Sequence, residues 1–134
     1  MRVKDIMSSP ACTVRADAPL GDAVALLEER SITAAPVVDD DGMLVGMVSE
    51  LDLLRQRLAR TRLAAGPLRV REAMSGLPMA AWPEAHVAAV AQAMVEHGAH
   101  TVPVVVDEHV IGVVSRCDVL RTLLPTAASA QRDA

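Results

Sequence analysis

Gly46-Met47-Val48-Ser49-Glu50-Leu51-Asp52 has a second version in the same chain, Gly112-Val113-Val114-Ser115-Arg116-Cys117-Asp118. Both spell Gly-x-x-Ser-x-x-Asp. Each follows an apolar, β-branched stretch, and each runs on into the same Leu-Arg, Leu54-Arg55 and Leu120-Arg121. At a strand-to-helix junction, Ser-x-x-Asp is close to a capping box, in which Ser caps the helix and the acid returns the bond. One copy alone reads as a cap. Two copies ask what else in the chain repeats.

Working outward, the repetition is extensive. Val3-Lys4-Asp5-Ile6-Met7 recurs as Val70-Arg71-Glu72-Ala73-Met74, and Ala35-Pro36-Val37-Val38 recurs as Val102-Pro103-Val104-Val105. Both pairs stand 67 residues apart, whereas Gly46 and Gly112 stand 66 apart. The missing residue falls where DDDGMLVG shortens to VDEHVIG, a hairpin turn that tolerates a deletion. The organisation expected is a first unit at 1–58, a link at 59–69 broken by Gly66-Pro67, a second unit at 70–124 and a frayed polar tail at 125–134.

The element pattern repeats too. Val3 to Met7 reads as a short helical turn, with extended pieces near Cys12 to Val14 and Met79 to Ala81. Asp17-Ala18-Pro19 reads as a helix start with an Asp cap, and Leu20, Ala23, Val24 and Leu27 share one face of that helix. Pro83 opens the matching helix, which carries Val87, Val90, Ala91 and Met94 and closes at Gly98. Two strands joined by a turn follow (Asp39 to Gly42 in the first unit), then a last helix, Leu51 to Leu58 or Asp118 to Leu124. Each unit is β-α-β-β-α, so the class is α/β (α+β). A unit this short buries little alone. Two units related by an approximate two-fold axis can pack sheet to sheet, which places equivalent clefts on either side of that axis.

Composition narrows the function. The chain has 134 residues, 51% of them apolar, with a formal net charge of -4. Aromatics make up 1%: there is no Phe or Tyr, and Trp82 stands alone, read as core. Neither a clustered basic face nor stacking residues are present for nucleic acid. No run approaches the roughly 20 apolar residues of a membrane span, and the start MRVKDIMSSP does not read as a signal peptide. A cytoplasmic protein is expected. Cys12 and Cys117 lack zinc-knuckle or disulfide-framework spacing.

The ordered set, an hxDIM-like opening, h-P-V-V, a turn and a closing G-h-h-S-x-x-D, occurring twice over most of the chain, resembles a tandem pair of cystathionine-beta-synthase (CBS) domains. The resemblance implies a stand-alone regulatory or sensor module without catalytic activity or a required cofactor. It implies an adenosine-containing ligand: AMP, ADP or ATP first, S-adenosylmethionine or NAD(H) behind them. It also implies a homodimer and an unidentified regulated protein, with signalling by conformational or assembly change.

The site residues follow from the same resemblance. The aspartate in the first helical turn can accept two ribose hydroxyls, Ser and the free N–H groups of that turn can meet a phosphate, and small residues before them leave room for a flat base. Across the axis, Ser115 and Asp118 would join Cys12, Ile32, Thr33 and Ala34. Ser49 and Asp52 would join Met79, Ala99, His100 and Thr101. Met47, Val48, Val113 and Val114 would wall the base. The second motif has Arg116 as a phosphate partner, whereas the first has Glu50, which repels phosphate; His100 stands where the family often places a basic residue. The alternative is a ligand-free dimerisation or protein-docking module whose motifs only cap helices.

Other patterns read as structure. His97-x-x-His100 reads as surface or capping histidine at a helix end rather than a metal site. Asp39-Asp40-Asp41-Gly42 begins like a calcium loop but reads as a turn. Cys117 reads as a buried, inert thiol. The methionines read as core filler. No P-loop or Ser-His-Asp order supports an enzyme.

Overall fold

A computed structural model describes residues 1–59, 68–76 and 79–123. The link at 60–67, including Gly66-Pro67, and everything from 124 onward lie outside the described residues. Eleven elements run in order: a single 3-10 turn Val3–Asp5, β1 Val14–Arg15, α1 Leu20–Arg30, β2 Ala34–Val38, β3 Leu44–Ser49, α2 Glu50–Ala59, α3 Val70–Ala73, α4 Val87–His97, β4 Thr101–Val106, β5 His109–Ser115 and α5 Arg116–Leu123. They form a β1-β2-β3 sheet and a β4-β5 sheet with flanking helices, the mixed fold expected.

The repeat is visible in the register. β2 and β3 are antiparallel with a shift between Val37 and Val38, and β4 and β5 are antiparallel with a shift between Val104 and Val105. The two irregularities occupy equivalent positions. β1 runs parallel to β2 but pairs only with Val37 and Val38. Pro36 therefore lies where β2 has one neighbour, the setting in which a strand tolerates a missing N–H. In the second unit the counterpart of β1 shrinks to one parallel bridge, Ala81 to Val104.

Each unit's core is completed by the other repeat. Val3 is fully buried among Val87, Val102, Val104, Val114 and Val119 of the second unit. Val70 is fully buried among Val14, Ala23, Val37 and Val48 of the first. Backbone hydrogen bonds fix the exchange: Val3 N donates to Ala85 O at 2.9 Å, and Val70 N to Ala18 O at 2.9 Å. The hairpin turns also meet, Leu44 N donating to Glu108 O at 2.9 Å.

Four expectations need correction. Asp17 does not cap α1: Pro19 is the N-cap, with no side-chain cap bond. Asp17 instead pairs with Arg15 at 3.3 Å, and its carbonyl accepts from Arg69. Pro83 sits in a turn ahead of α4, which starts at Val87 after His86. Val24 faces outward, because Ala23 and Leu27 form the buried stripe of α1. Trp82 is 67% exposed rather than core. Gly98 does close α4 in the left-handed region, and Ser31 takes that conformation after α1.

Candidate functional site

Both motifs fold into complete capping boxes. Ser49 N donates to Asp52 Oδ2 at 2.9 Å, and Asp52 N to Ser49 Oγ at 3.1 Å. Ser115 N donates to Asp118 Oδ2 at 2.8 Å, and Asp118 N to Ser115 Oγ at 3.2 Å. The reciprocal bonds satisfy N–H groups that a helix start otherwise leaves open.

Each box uses one carboxylate oxygen. The other, Oδ1, faces an arginine one turn further along the same helix. Arg121 Nη1 lies 3.3 Å from Asp118 Oδ1, and Arg55 Nη1 lies 3.8 Å from Asp52 Oδ1. Ser75 Oγ approaches Asp52 Oδ1 at 3.5 Å. The aspartate side chains keep only 10% and 14% of their surface, while both arginines are largely exposed. A nearly buried carboxylate whose second oxygen meets only side-chain donors outside the cap keeps lone-pair capacity for further hydroxyl or N–H donors. A cleft of about 340 Å³ opens beside Asp52, lined by Arg55, Gln56, Ala73, Met74 and Ser75. That size lies at the lower end of small-molecule sites.

The motif glycines meet the other repeat rather than a ligand. A Cβ on Gly46 would lie 2.9 Å from Met74 Sδ and crowd the Ser75 carbonyl; one on Gly112 would lie 2.9 Å from Met7 Sδ and 2.8 Å from Ser8 O. Met47 exchanges two backbone bonds with Ser75, and Val113 two with Ser8. The room expected for a flat base is therefore filled, at the glycines, by protein. Val48 and Val114 are fully buried in the two cores and do not wall a cleft. Met47 is buried, and Val113 is half-buried.

The expected cross-axis partners fall into two groups. Cys12 is half-buried on the stretch that leaves Ser8, which pairs with Val113 of β5, and reaches Val14 of β1, which pairs with Val37 of β2. Met79 is half-buried between Ser75, which pairs with Met47 of β3, and Ala81, which pairs with Val104 of β4. Each crossing begins beside one motif and ends on the other unit's sheet, with Cys12 and Met79 between. The remaining contacts run within each unit. Ala34 pairs with Ser49, Thr33 O accepts from Glu50 N at 3.0 Å, and half-buried Ile32 bonds back to Leu27. Thr101 pairs with Ser115, His100 O accepts from Arg116 N at 3.0 Å, and Ala99 N bonds to Met94 O. The bonds of these six residues thus lead to their own unit's motif or helix.

Arg116 differs from expectation. Its Nε donates to Ala99 O at 3.0 Å, and Nη2 lies 3.5 Å from Gly98 O, so the guanidinium closes the end of α4. His97 and His100 are exposed, and Cys117 is an exposed thiol rather than a buried one. Among the described residues no three His, Cys, Asp or Glu side chains gather as metal ligands. Sequence reasoning missed Met74, Ser75, Arg55 and Arg121. The signal for the first pair was the repeated opening segment beside a glycine. For the arginines it was the repeated Leu-Arg.

Interlocked β-α-β-β-α units with paired Ser-x-x-Asp junctions define a tandem module of two like repeats. The CBS domain family profile matches residues 3–59 and 70–125. The chain belongs to the CBS domain family, as a pair. Solved structures resemble it closely. The CBS domain pair of protein MJ0100, in complex with methylthioadenosine and S-adenosyl-L-methionine, is 30% identical, with a TM-score of 0.80 over 92% of this chain and 95% of that one. CBSX2 in complex with AMP is 26% identical, with a TM-score of 0.82 over 94% and 98%. Among curated relatives, the A-adding tRNA nucleotidyltransferase of Aquifex aeolicus is 31% identical over 92% of this chain, which spans 14% of that protein. The chain likewise spans only 24–31% of three further curated relatives, whereas it spans 81% of the CBS domain-containing protein YhcV of Bacillus subtilis, at 28% identity.

Proposed function

We propose that this CBS pair is a non-catalytic regulatory module that takes an adenosine-containing nucleotide beside Asp52 or Asp118. The observation that carries this is the position of Oδ1, which takes no part in the cap and meets only the side chains of Arg121 at one motif, and of Arg55 and Ser75 at the other. Each cap consumes one oxygen of a nearly buried carboxylate, which leaves the other to accept a ribose diol. Two similar pairs hold AMP, or S-adenosyl-L-methionine and methylthioadenosine, which supports an adenosine moiety as the common element. AMP, ADP and ATP are the first candidates. Signalling would follow from the crossing stretches at Ser8 and Ser75, because each touches one motif and leads into the other unit. A ligand then biases whichever arrangement or assembly it binds better. Among the described residues no helix is long and apolar enough to cross a membrane, in keeping with a cytoplasmic setting.

Calorimetric titration with AMP, ADP, ATP, S-adenosylmethionine and NADH tests the reading. Asp52→Asn and Asp118→Asn are the informative variants. Asn keeps an oxygen for the cap but replaces the outward acceptor with a donor. Saturable heat lost in one variant, with unchanged melting, supports the site. No heat from any ligand sinks it. The second reading is a ligand-free assembly module, favoured by the completeness of both capping boxes.

A further inference from the structure

We propose that His109 is a proton-dependent clamp on the seam between the two units, closing it when the imidazole carries both protons and relaxing it when one is lost. The clamp goes beyond the reading above and does not require nucleotide binding.

The two hairpin turns meet where the repeat maps one onto the other. Met43 and His109 form an isolated antiparallel bridge. They stand 66 residues apart, the offset of Gly46 and Gly112, so the bridge joins equivalent positions of the two units. Beside it, Leu44 N donates to Glu108 O at 2.9 Å. β3 and β5 both begin at this seam and run on into the two Gly-x-x-Ser-x-x-Asp motifs. Whatever tightens the seam therefore acts at the start of both motif-bearing strands.

The imidazole spans the seam. Nδ1 lies 3.0 Å from the Asp107 carbonyl oxygen on its own turn, and Nε2 lies 3.1 Å from the Asp41 carbonyl oxygen on the opposing turn. A carbonyl oxygen only accepts, so each contact needs an N–H on the ring. A neutral imidazole has one and an imidazolium has two. Only the imidazolium makes both bonds; the neutral ring sets a lone pair against one of the carbonyls. The ring also rests on the first turn, where a Cβ on Gly42 would lie 3.5 Å from its Cδ2. Met43, at the equivalent position, offers no side-chain N–H, so the repeat does not duplicate the device.

The seam is acidic on both sides. The turn of His109 carries Asp107 and Glu108, and the opposing turn carries Asp39, Asp40 and Asp41. Arg15 pairs with Asp40, and Arg71 lines one cavity with Asp39, Asp40 and Asp41, yet the carboxylates outnumber the guanidiniums. A positive ring between the turns reduces their mutual repulsion. The Nδ1 bond also anchors Asp107 in a turn whose two residues, Asp107 and Glu108, are both held at positive φ. Acidification should therefore tighten the seam, and loss of the ring proton should relax it.

Hydrogen exchange of the Leu44 N–H, whose bond crosses the seam, reads the clamp in the full chain. Corrected for the intrinsic pH dependence of exchange, its protection should be on the order of threefold higher at about pH 5.5 than at about pH 8. His109→Gln offers a donor that does not titrate, and should remove that difference. In NMR spectra at about pH 5.5, both ring N–H protons of His109 should be observable, held by their carbonyl partners against exchange with water. Equal protection at the two pH values overturns the clamp, as does a difference that survives in His109→Gln. Failure to observe both ring N–H protons under acid conditions overturns it as well.

Discussion

At the scale of single residues, the motif combines a cap, a close approach and a carboxylate oxygen left out of the cap. The serine and aspartate functions can be separated. Ser115→Ala removes the acceptor for Asp118 N and should cost about 1 kcal/mol, read from chemical denaturation, with Asp118 Oδ1 still present for a ligand. Asp118→Asn should do the reverse, abolishing titratable nucleotide binding with little change in stability. If both variants lose stability alike and binding is unaffected, the motif is a cap only. The glycine is a separate constraint. Gly112 lies in β5 with Ser8 and Met7 of the opening segment against it. Gly112→Ala must push backbone as well as a side chain, so it should destabilise by about 1–3 kcal/mol. A neutral denaturation midpoint would refute that packing argument.

At the scale of elements, the two hairpins differ in how they turn. The first spends Asp39 to Gly42 on its turn, with Gly42 at φ 81° and Asp39 Oδ1 accepting from the N–H groups of Asp41 and Met43. The second turns on Asp107 and Glu108 alone, both left-handed at φ 50° and 68°. Neither residue is a glycine, so this turn is strained. Glu108→Gly keeps the carbonyl that accepts from Leu44 and relieves the strain. It should raise stability by about 0.5–1 kcal/mol, seen as a higher denaturant midpoint; a lower midpoint would refute the strain.

Local periodicity and turn chemistry made most of these elements legible in the sequence. The spacing of Pro36 and Pro103 located β2 and β4, and the deleted residue located the shorter turn. The helix starts were less legible. Asp17-Ala18-Pro19 has the composition of a cap, but Asp17 is drawn to Arg15, which also pairs with Asp40. Those carboxylates hold the Arg15 proton more tightly than usual, the attraction of Asp17 foremost. The hydrogen bonds of Arg116 to the end of α4 were likewise not legible, because they depend on tertiary placement that linear spacing does not encode.

At the scale of the whole molecule, the boundaries of the repeat and of the cores do not coincide. The sequence repeat begins at Val3 and Val70, yet each of these valines is buried in the core of the other unit. Periodicity identifies them as apolar anchors but cannot say which core they enter. That needs the crossings between Ser8 and Val14 and between Ser75 and Ala81. The candidate cleft was half legible for the same reason: the motif was plain, whereas Met74 and Ser75 arrive from the other repeat. The exchange makes each core depend on a segment of the other repeat. Val70→Ala should cost about 2 kcal/mol by opening a cavity. The loss should appear in hydrogen exchange of β2 and β3, far along the chain from the substitution, while β4 and β5 keep their protection. A fragment of residues 1–59 lacks Val70 and should remain unfolded by circular dichroism, regaining β structure only when mixed with residues 68–134. Independent folding of 1–59, or faster exchange confined to β4 and β5 in Val70→Ala, would show that the cores are not exchanged. Because each opening segment lies against the other unit's motif, an interlocked pair also implies that a ligand at one motif is felt in both cores; AMP binding should then slow exchange in both sheets together, and protection limited to one sheet would separate the sites from the interlock.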